Sequence, residues 1–218
     1  MDLFGIPAEA GYQFRCRFEW LQDRPLVVYT GTFGLMNGVD YLVQLAAKVR
    51  EIMPEIRFLA CGDGAKFDEV QGLARQLDVL DRNFFMLHSM PKLEIKDVLS
   101  AADMATSLFI NLPAMWANSA NKFFDALASG TAVAINYQGW QADLLNETGA
   151  GIVISVDNID QAAHDIVTKV RDKAWIKAAG KAARQLAEER FSRDELTKRL
   201  EQVLEGAIYQ YQRGSRQL

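Results

Sequence analysis

Short apolar runs rich in branched and aromatic side chains alternate along the chain with longer segments whose apolar residues recur every three to four positions. The runs predict strands at Leu26–Thr30, Ile56–Cys61, Phe84–His88, Met104–Phe109, Ala132–Asn136 and Ile152–Val156. A strand covered on both faces is apolar throughout, without polar alternation. The periodic segments predict helices over Val39–Ile52, Lys66–Leu77, Lys92–Ala101, Asn121–Ala128, Trp140–Asn146 and Ile159–Val170. Alternation of this kind predicts an α/β fold, a Rossmann-like open parallel sheet of about six strands with helices on both faces.

Beyond the last run nothing strand-like follows, and the pattern predicts two or three C-terminal helices. Ser192 with Glu195 three residues on forms a capping box, so a new helix is expected after a break at Phe191. That helix, Arg193 to about Gln212, carries Leu196, Leu200, Val203, Leu204, Ile208 and Tyr211 on one stripe, more than one side of a finished domain needs. Part of the stripe is expected to be exposed or used in a self-contact. At the other end, residues 1–24 fit no periodic element and read as a surface tail or a connecting segment. No repeat or low-complexity tract divides the rest, so residues 25–190 read as one globular domain and residues 191–218 as a C-terminal helical extension.

Composition narrows the function. Half of the 218 residues are apolar, enough for a full core. The formal net charge of -4 carries no nucleic-acid footprint. Cys16 and Cys61 lack zinc-like spacing and a disulfide framework, which reads as a reduced, cytoplasmic setting, with Cys61 in the core. No signal peptide and no apolar run of membrane-spanning length is visible.

In an open parallel sheet, ligands bind beyond the carboxyl ends of the strands. The first such loop, "YTGTFGLMNGVD", holds Gly31, Gly34 and Gly38, whose freedom lets a backbone approach a ligand. The spacing is not the dinucleotide fingerprint, and a plain strand-to-helix turn reads equally well. In the second loop, "CGDGAK", Gly62 and Gly64 flank Asp63. The third has His88, Ser89 and Met90 before Pro91, which suits the first position of a helix. Without a visible acid or metal partner, His88 reads as an ordinary half-buried strand end.

The fourth loop, "NLPAMWANSANK", runs into a helix with a lysine at its start. A helix N-terminus favours negative charge, so Lys122 is misplaced unless an anion sits in front of it. Ser119, Ala120 and Asn121 offer backbone N–H groups there, with Ser119 and Asn121 as candidate caps. Such an end is a ready phosphate site to which Lys122 adds a full charge. Asp125, three residues on and so on the same face, could accept from sugar hydroxyls. The bland alternative is a solvated Lys122–Asp125 surface pair worth a few tenths of a kcal/mol. The otherwise apolar helix, set between two apolar strands, favours the ligand site.

Together, "GTFG" with "GVDYL", then "FLACGDG", "FFMLHSMPKLEIKDVLSAADM" and "NKFFDALASGTAVAIN" resemble, in order and spacing, the C-terminal domain of glycosyltransferase family 4. These are retaining enzymes of the two-domain GT-B fold, and amino-sugar transferases of bacterial surface-polysaccharide synthesis are closest in flavour. The resemblance implies a nucleotide-diphosphate sugar donor, with UDP the expected nucleotide, no cofactor, and usually no metal. By position, Gly31, Thr32, Phe33, Gly34 and Asn37 would approach the diphosphate, with Gly62, Asp63 and Gly64 beside them. Ser89 and Met90 would flank the base through backbone groups, with His88 before them counted among the donor-binding residues. Ser119, Ala120, Asn121 and Lys122 would face the phosphates, and Asp125 would take the ribose hydroxyls.

The resemblance also implies an N-terminal acceptor domain preceding this chain, of which "DLF" would close the linker. The final helix would return to that domain. Membrane contact, at the inner face, would come through it alone. Isolated, the chain would bind donor but not turn it over. The chain departs from the family pattern in two ways. Ala117 stands where the first glutamate of a pair is expected, eight residues before Asp125. Thr32 and Asn37 stand where many members carry Arg and Lys around the first loop, so diphosphate charge must be met elsewhere, with Lys122 the candidate. A sugar-nucleotide epimerase of the same architecture and a non-catalytic docking domain remain as alternatives.

Overall fold

The computed structural model describes residues 8–214. Six parallel strands, β1 (Leu26–Thr30), β2 (Arg57–Cys61), β3 (Phe84–Leu87), β4 (Met104–Ser107), β5 (Ala132–Ile135) and β6 (Gly151–Val153), form one sheet in the order β3-β2-β1-β4-β5-β6. The order reverses between β1 and β4, which opens a crevice at their carboxyl ends. The expected α/β sheet is therefore present. Four of the strands, β3 to β6, end earlier than the apolar runs do, because Phe109 and Ile154, for example, are buried beyond the ladder.

Alternate residues of each strand feed two cores, as the period of two requires. Val27, Tyr29 and Phe58 pack with α2 (Val39–Ile52), α3 (Phe67–Gln76) and α7 (Ile159–Arg171). Leu26, Val28 and Leu59 pack on the other face with α4 (Lys92–Ala101), α5 (Asn121–Ser129), α6 (Trp140–Thr148) and α8 (Lys173–Arg190). α5 is wedged between the sheet and α8, burying Phe123, Ala126 and Leu127, and ends on Gly130 in the left-handed conformation that favours glycine.

The surface-tail reading of residues 1–24 is corrected over residues 8–24; residues 1–7, including "DLF", lie outside the described part. Ala8–Cys16 form α1, packed on α4. Phe14 and Leu21 are buried, and Trp20 stacks on Phe85 with 3.8 Å between ring centroids. Arg15 donates to Asp103 at 3.1 Å, and Asp103 also accepts from the Leu26 backbone and from Lys173, tying α1, β1 and α8 together. A Cβ at Gly11 would lie 2.5 Å from the Ser100 carbonyl oxygen, so the residue that reads as a helix breaker is what lets α1 close on α4.

The last helix, α9 (Arg193–Gly214), begins after the expected break at Phe191. Glu195 pairs forward with Lys198, at 2.9 Å. Leu196, Leu200, Val203, Leu204, Ile208 and Tyr211 are all exposed. Residues 215–218 lie outside the described part.

Candidate functional site

The crevice at the carboxyl ends of the strands holds a pocket of about 560 Å³. Eleven of the sixteen residues singled out from the sequence line it: Gly31, Thr32, Asn37, Gly62, Asp63, Ser89, Met90, Ala120, Asn121, Lys122 and Asp125. Each loop reaches it for a different reason. The β1 and β2 turns are laced together by Phe33 N–H donating to the Asp63 carbonyl and Lys66 N–H donating to the Phe33 carbonyl, both at 2.9 Å. A Cβ at Gly62 would fall 1.9 Å from the Gly31 oxygen. That glycine therefore serves the packing of one turn against the other.

Five expected residues do not line the pocket. Phe33 is fully buried, edge-on to Tyr29, and Gly64 packs against its backbone. Gly34 lies against the Asn37 side chain. Ser119 precedes the helix without capping it. The N-cap of α5 is Ala120, with no side-chain hydrogen bond, so neither Ser119 nor Asn121 caps. Pro91, likewise, is the N-cap of α4 and not its first helical residue.

His88 is not a strand end without an acid partner. It lies just past β3, is 77% exposed at its side chain, and its Nδ1 sits 2.6 Å from Asp63 Oδ1 while its ring stacks on Phe67. Asp63 Oδ2 accepts from Ser89 N–H at 2.9 Å and Ser89 Oγ at 2.5 Å. Hydrogen bonds from His88 and Ser89 hold the Asp63 carboxyl down at about 2, so it is a carboxylate throughout the neutral range. Cys61, beneath them, has its thiol pushed up to about 12 by burial and stays protonated.

Lys122 and Asp125 do not pair with each other. Lys122 Nζ turns inward, 3.0 Å from Asn37 Oδ1 and 3.4 Å from the Tyr29 hydroxyl, between the faces of Tyr29 and Phe109 at 4.9 and 5.2 Å. Asn37 in turn donates to the Thr32 carbonyl at 2.9 Å. The ammonium of α5 thus lies against the first loop, where the resemblance implies a lysine at position 37. All its close partners are neutral, and burial pulls its pKa down to about 8. Asp125 Oδ1 accepts instead from Lys92 Nζ at 3.1 Å.

Thr30, Cys61, Lys92 and Ile95 also line the pocket and were not anticipated. Lys92 follows Pro91 at the start of a helix, the same oddity of placement that marks Lys122, and that signal could have found it. Among the described residues no His, Cys, Asp and Glu cluster could hold a metal ion, and no helix is long and apolar enough to cross a membrane.

Among solved structures, the sucrose-phosphate synthase of Thermosynechococcus elongatus is similar over 95% of this chain and 50% of its own, with 21% identity and a TM-score of 0.81. Anabaena HepE in complex with UDP and glucose is similar over 94% of this chain and 54% of its own, at 15% identity and a TM-score of 0.80. The chain thus spans about half the length of these proteins. The C-terminal domain of the group 1 glycosyl transferase LpcC from Francisella tularensis is matched over 97% of its length, and over 88% of this chain, at 13% identity and a TM-score of 0.71. No curated protein matches the sequence. The sequence profile of the family described as "Glycosyl transferases group 1" matches residues 14–190, and with the sheet, the crevice and these neighbours the chain belongs to that family, a glycosyltransferase domain of the GT-B type.

Proposed function

We propose that this chain is the donor-binding half of a retaining, family 4 glycosyltransferase that moves a hexose or amino sugar from a UDP-linked donor to a glycan or lipid-linked acceptor. The observation that carries the reading is Lys122. A largely buried ammonium with neutral partners, at an uncapped helix N-terminus facing an open pocket, is an arrangement that an anion stabilises. In the departing diphosphate, negative charge builds on the bridging oxygen as the sugar–oxygen bond breaks. Lys122 and the backbone N–H groups of α5 would meet that charge without rearranging.

Asp125, steadied by Lys92, would accept from ribose, and the segment from Ser89 to Met90 would meet the base. Support for UDP comes from the neighbour solved with UDP and glucose. The acceptor would be held by a second domain, as the half-length match to the neighbours suggests, and the setting would be cytoplasmic, at the inner face of a membrane in the whole protein. The chain alone is expected to bind donor without transferring it, and an acceptor-dependent product from it would refute that.

Calorimetric titration of the wild type, Lys122→Ala and Asp125→Asn with UDP, uridine and 2'-deoxy-UDP tests the assignment. Lys122→Ala should weaken UDP by about 1.5 to 3 kcal/mol, the range for a hydrogen bond to a charged group, and leave uridine nearly unchanged. Asp125→Asn should weaken both UDP and uridine, and should matter less for the deoxy ligand. Equal losses for all ligands would mean damage to α5, and a wild type that ignores UDP would sink the reading.

A further inference from the structure

We propose that Asp63 is the positioning residue for base recognition, holding the segment after β3 so that Met90 presents its own N–H and C=O to the base; this rests on the donor-binding reading above. Only three residues, His88, Ser89 and Met90, connect the end of β3 to the N-cap of α4. Their polar groups on one side are already engaged. The His88 carbonyl accepts from the Cys61 thiol at 3.4 Å, and the Ser89 N–H and hydroxyl both go to Asp63. The His88 ring is fixed twice, by the Asp63 carboxylate and by stacking on Phe67, centroids 4.6 Å apart and planes 12° from parallel.

Ser89 keeps its C=O open, and Met90 keeps both of its backbone groups. Among the described residues the Met90 N–H and C=O make no hydrogen bond, and Met90 lines the pocket. As the residue before Pro91 it is steered to extended backbone, where the N–H and C=O of one residue point to the same side. A donor and an acceptor side by side fit a base edge that offers the complementary pair in matching order. Asp63 is in turn anchored through its own carbonyl to Phe33 N–H. One residue therefore couples the β1 turn to the segment after β3, and the spacing between the phosphate-facing and base-facing parts of the pocket passes through it. Asp63 need not touch the ligand to do this.

The test is a calorimetric panel of UDP, GDP and ADP on the wild type, Asp63→Ala and His88→Phe, with thermal unfolding of each as a folding check. The wild type should prefer one base by tenfold or more. Asp63→Ala should bring the three affinities to within about threefold of one another, by weakening the preferred ligand while the others hold. His88→Phe keeps a ring to stack on Phe67 and leaves both Ser89 bonds, so it should retain most of the preference. If Asp63→Ala does not fold, Ser89→Ala, which removes one of the three bonds, should lower the preference by an intermediate factor. A variant panel that keeps the wild-type ratio, or loses all three ligands equally, overturns the proposal. A wild type that binds all three alike overturns it too, while sparing the phosphate reading; a wild type that binds none removes the reading on which it rests.

Discussion

Helices α5 and α9 both carry a clear apolar stripe, and they end in opposite circumstances. In α5, Phe123, Ala126 and Leu127 are buried between the sheet and α8, and the helix delivers its N-terminus to the pocket. In α9, Leu196, Leu200, Leu204 and Ile208 are about half exposed or more. Periodicity says that a face is suited to cover and says nothing of what provides it. For α5 the cover is supplied by strands and a helix that the same chain brings next to it. α9 starts past a two-residue break at Phe191 and Ser192, and Leu196, Leu200, Leu204 and Ile208 of its stripe stay open to solvent.

The contrast can be broken by mutation. Phe123→Ala should cost about 3 to 5 kcal/mol, the toll of emptying a fully buried aromatic site, read as a fall in the denaturant midpoint. A loss below 1 kcal/mol would mean that α5 is held far more loosely than its burial implies.

The next effect is electrostatic. Lys122 has a pKa near 8 in the folded chain against 10.5 for a free lysine, so between those values the unfolded state binds more protons and stability should rise with pH. Over that window the contribution of Lys122 should approach about 3 kcal/mol, and Lys122→Met should abolish it. In the same window UDP affinity should fall as pH rises through 8, because the ligand needs the ammonium. Urea titrations at pH 7, 8, 9 and 10 check the first part, and binding at the same pH values the second. Because the buried Cys61 thiol opposes this rise above about pH 9, the comparison is with Lys122→Met, and a wild type whose pH dependence matches that variant would contradict the desolvated placement of this group.

Smaller still, Lys92→Ala should change stability by less than about 1 kcal/mol, since the Lys92 side chain is 50% exposed and its pairing with Asp125 is screened by water. The smallest effect is expected on α9, where Leu204→Glu should move the unfolding midpoint by an amount equivalent to about 0.5 kcal/mol or less. A large destabilisation there would show that the stripe is covered in solution.

The same contrast explains what could be read in advance. The sheet was legible because six apolar runs without polar alternation have few other uses. Their ends were not, since Asn136 holds the backbone N–H and C=O of Phe109 through its side-chain amide, burying residues past the last ladder pair of β4. Lys122 stood out because it contradicts the helix dipole. The Asp63–His88 contact could not be seen, because it joins residues 25 apart and exists only through the register that sets Cys61 beside Leu87. α1 was hidden by its glycine and by having just two large apolar side chains, Tyr12 and Phe14, to mark a stripe.

The interlocked turns after β1 and β2 bear on how this pocket can change over generations. With the carbonyl of Gly31 lying where any side chain at position 62 would have to begin, a mutation at 62 is harmful until the neighbouring turn has already shifted. Neither turn can drift alone, so new specificity is more accessible through the segment after β3 and the start of α5. A library meant to alter the donor should vary those positions freely and treat Gly31 and Gly62 as a single inherited unit.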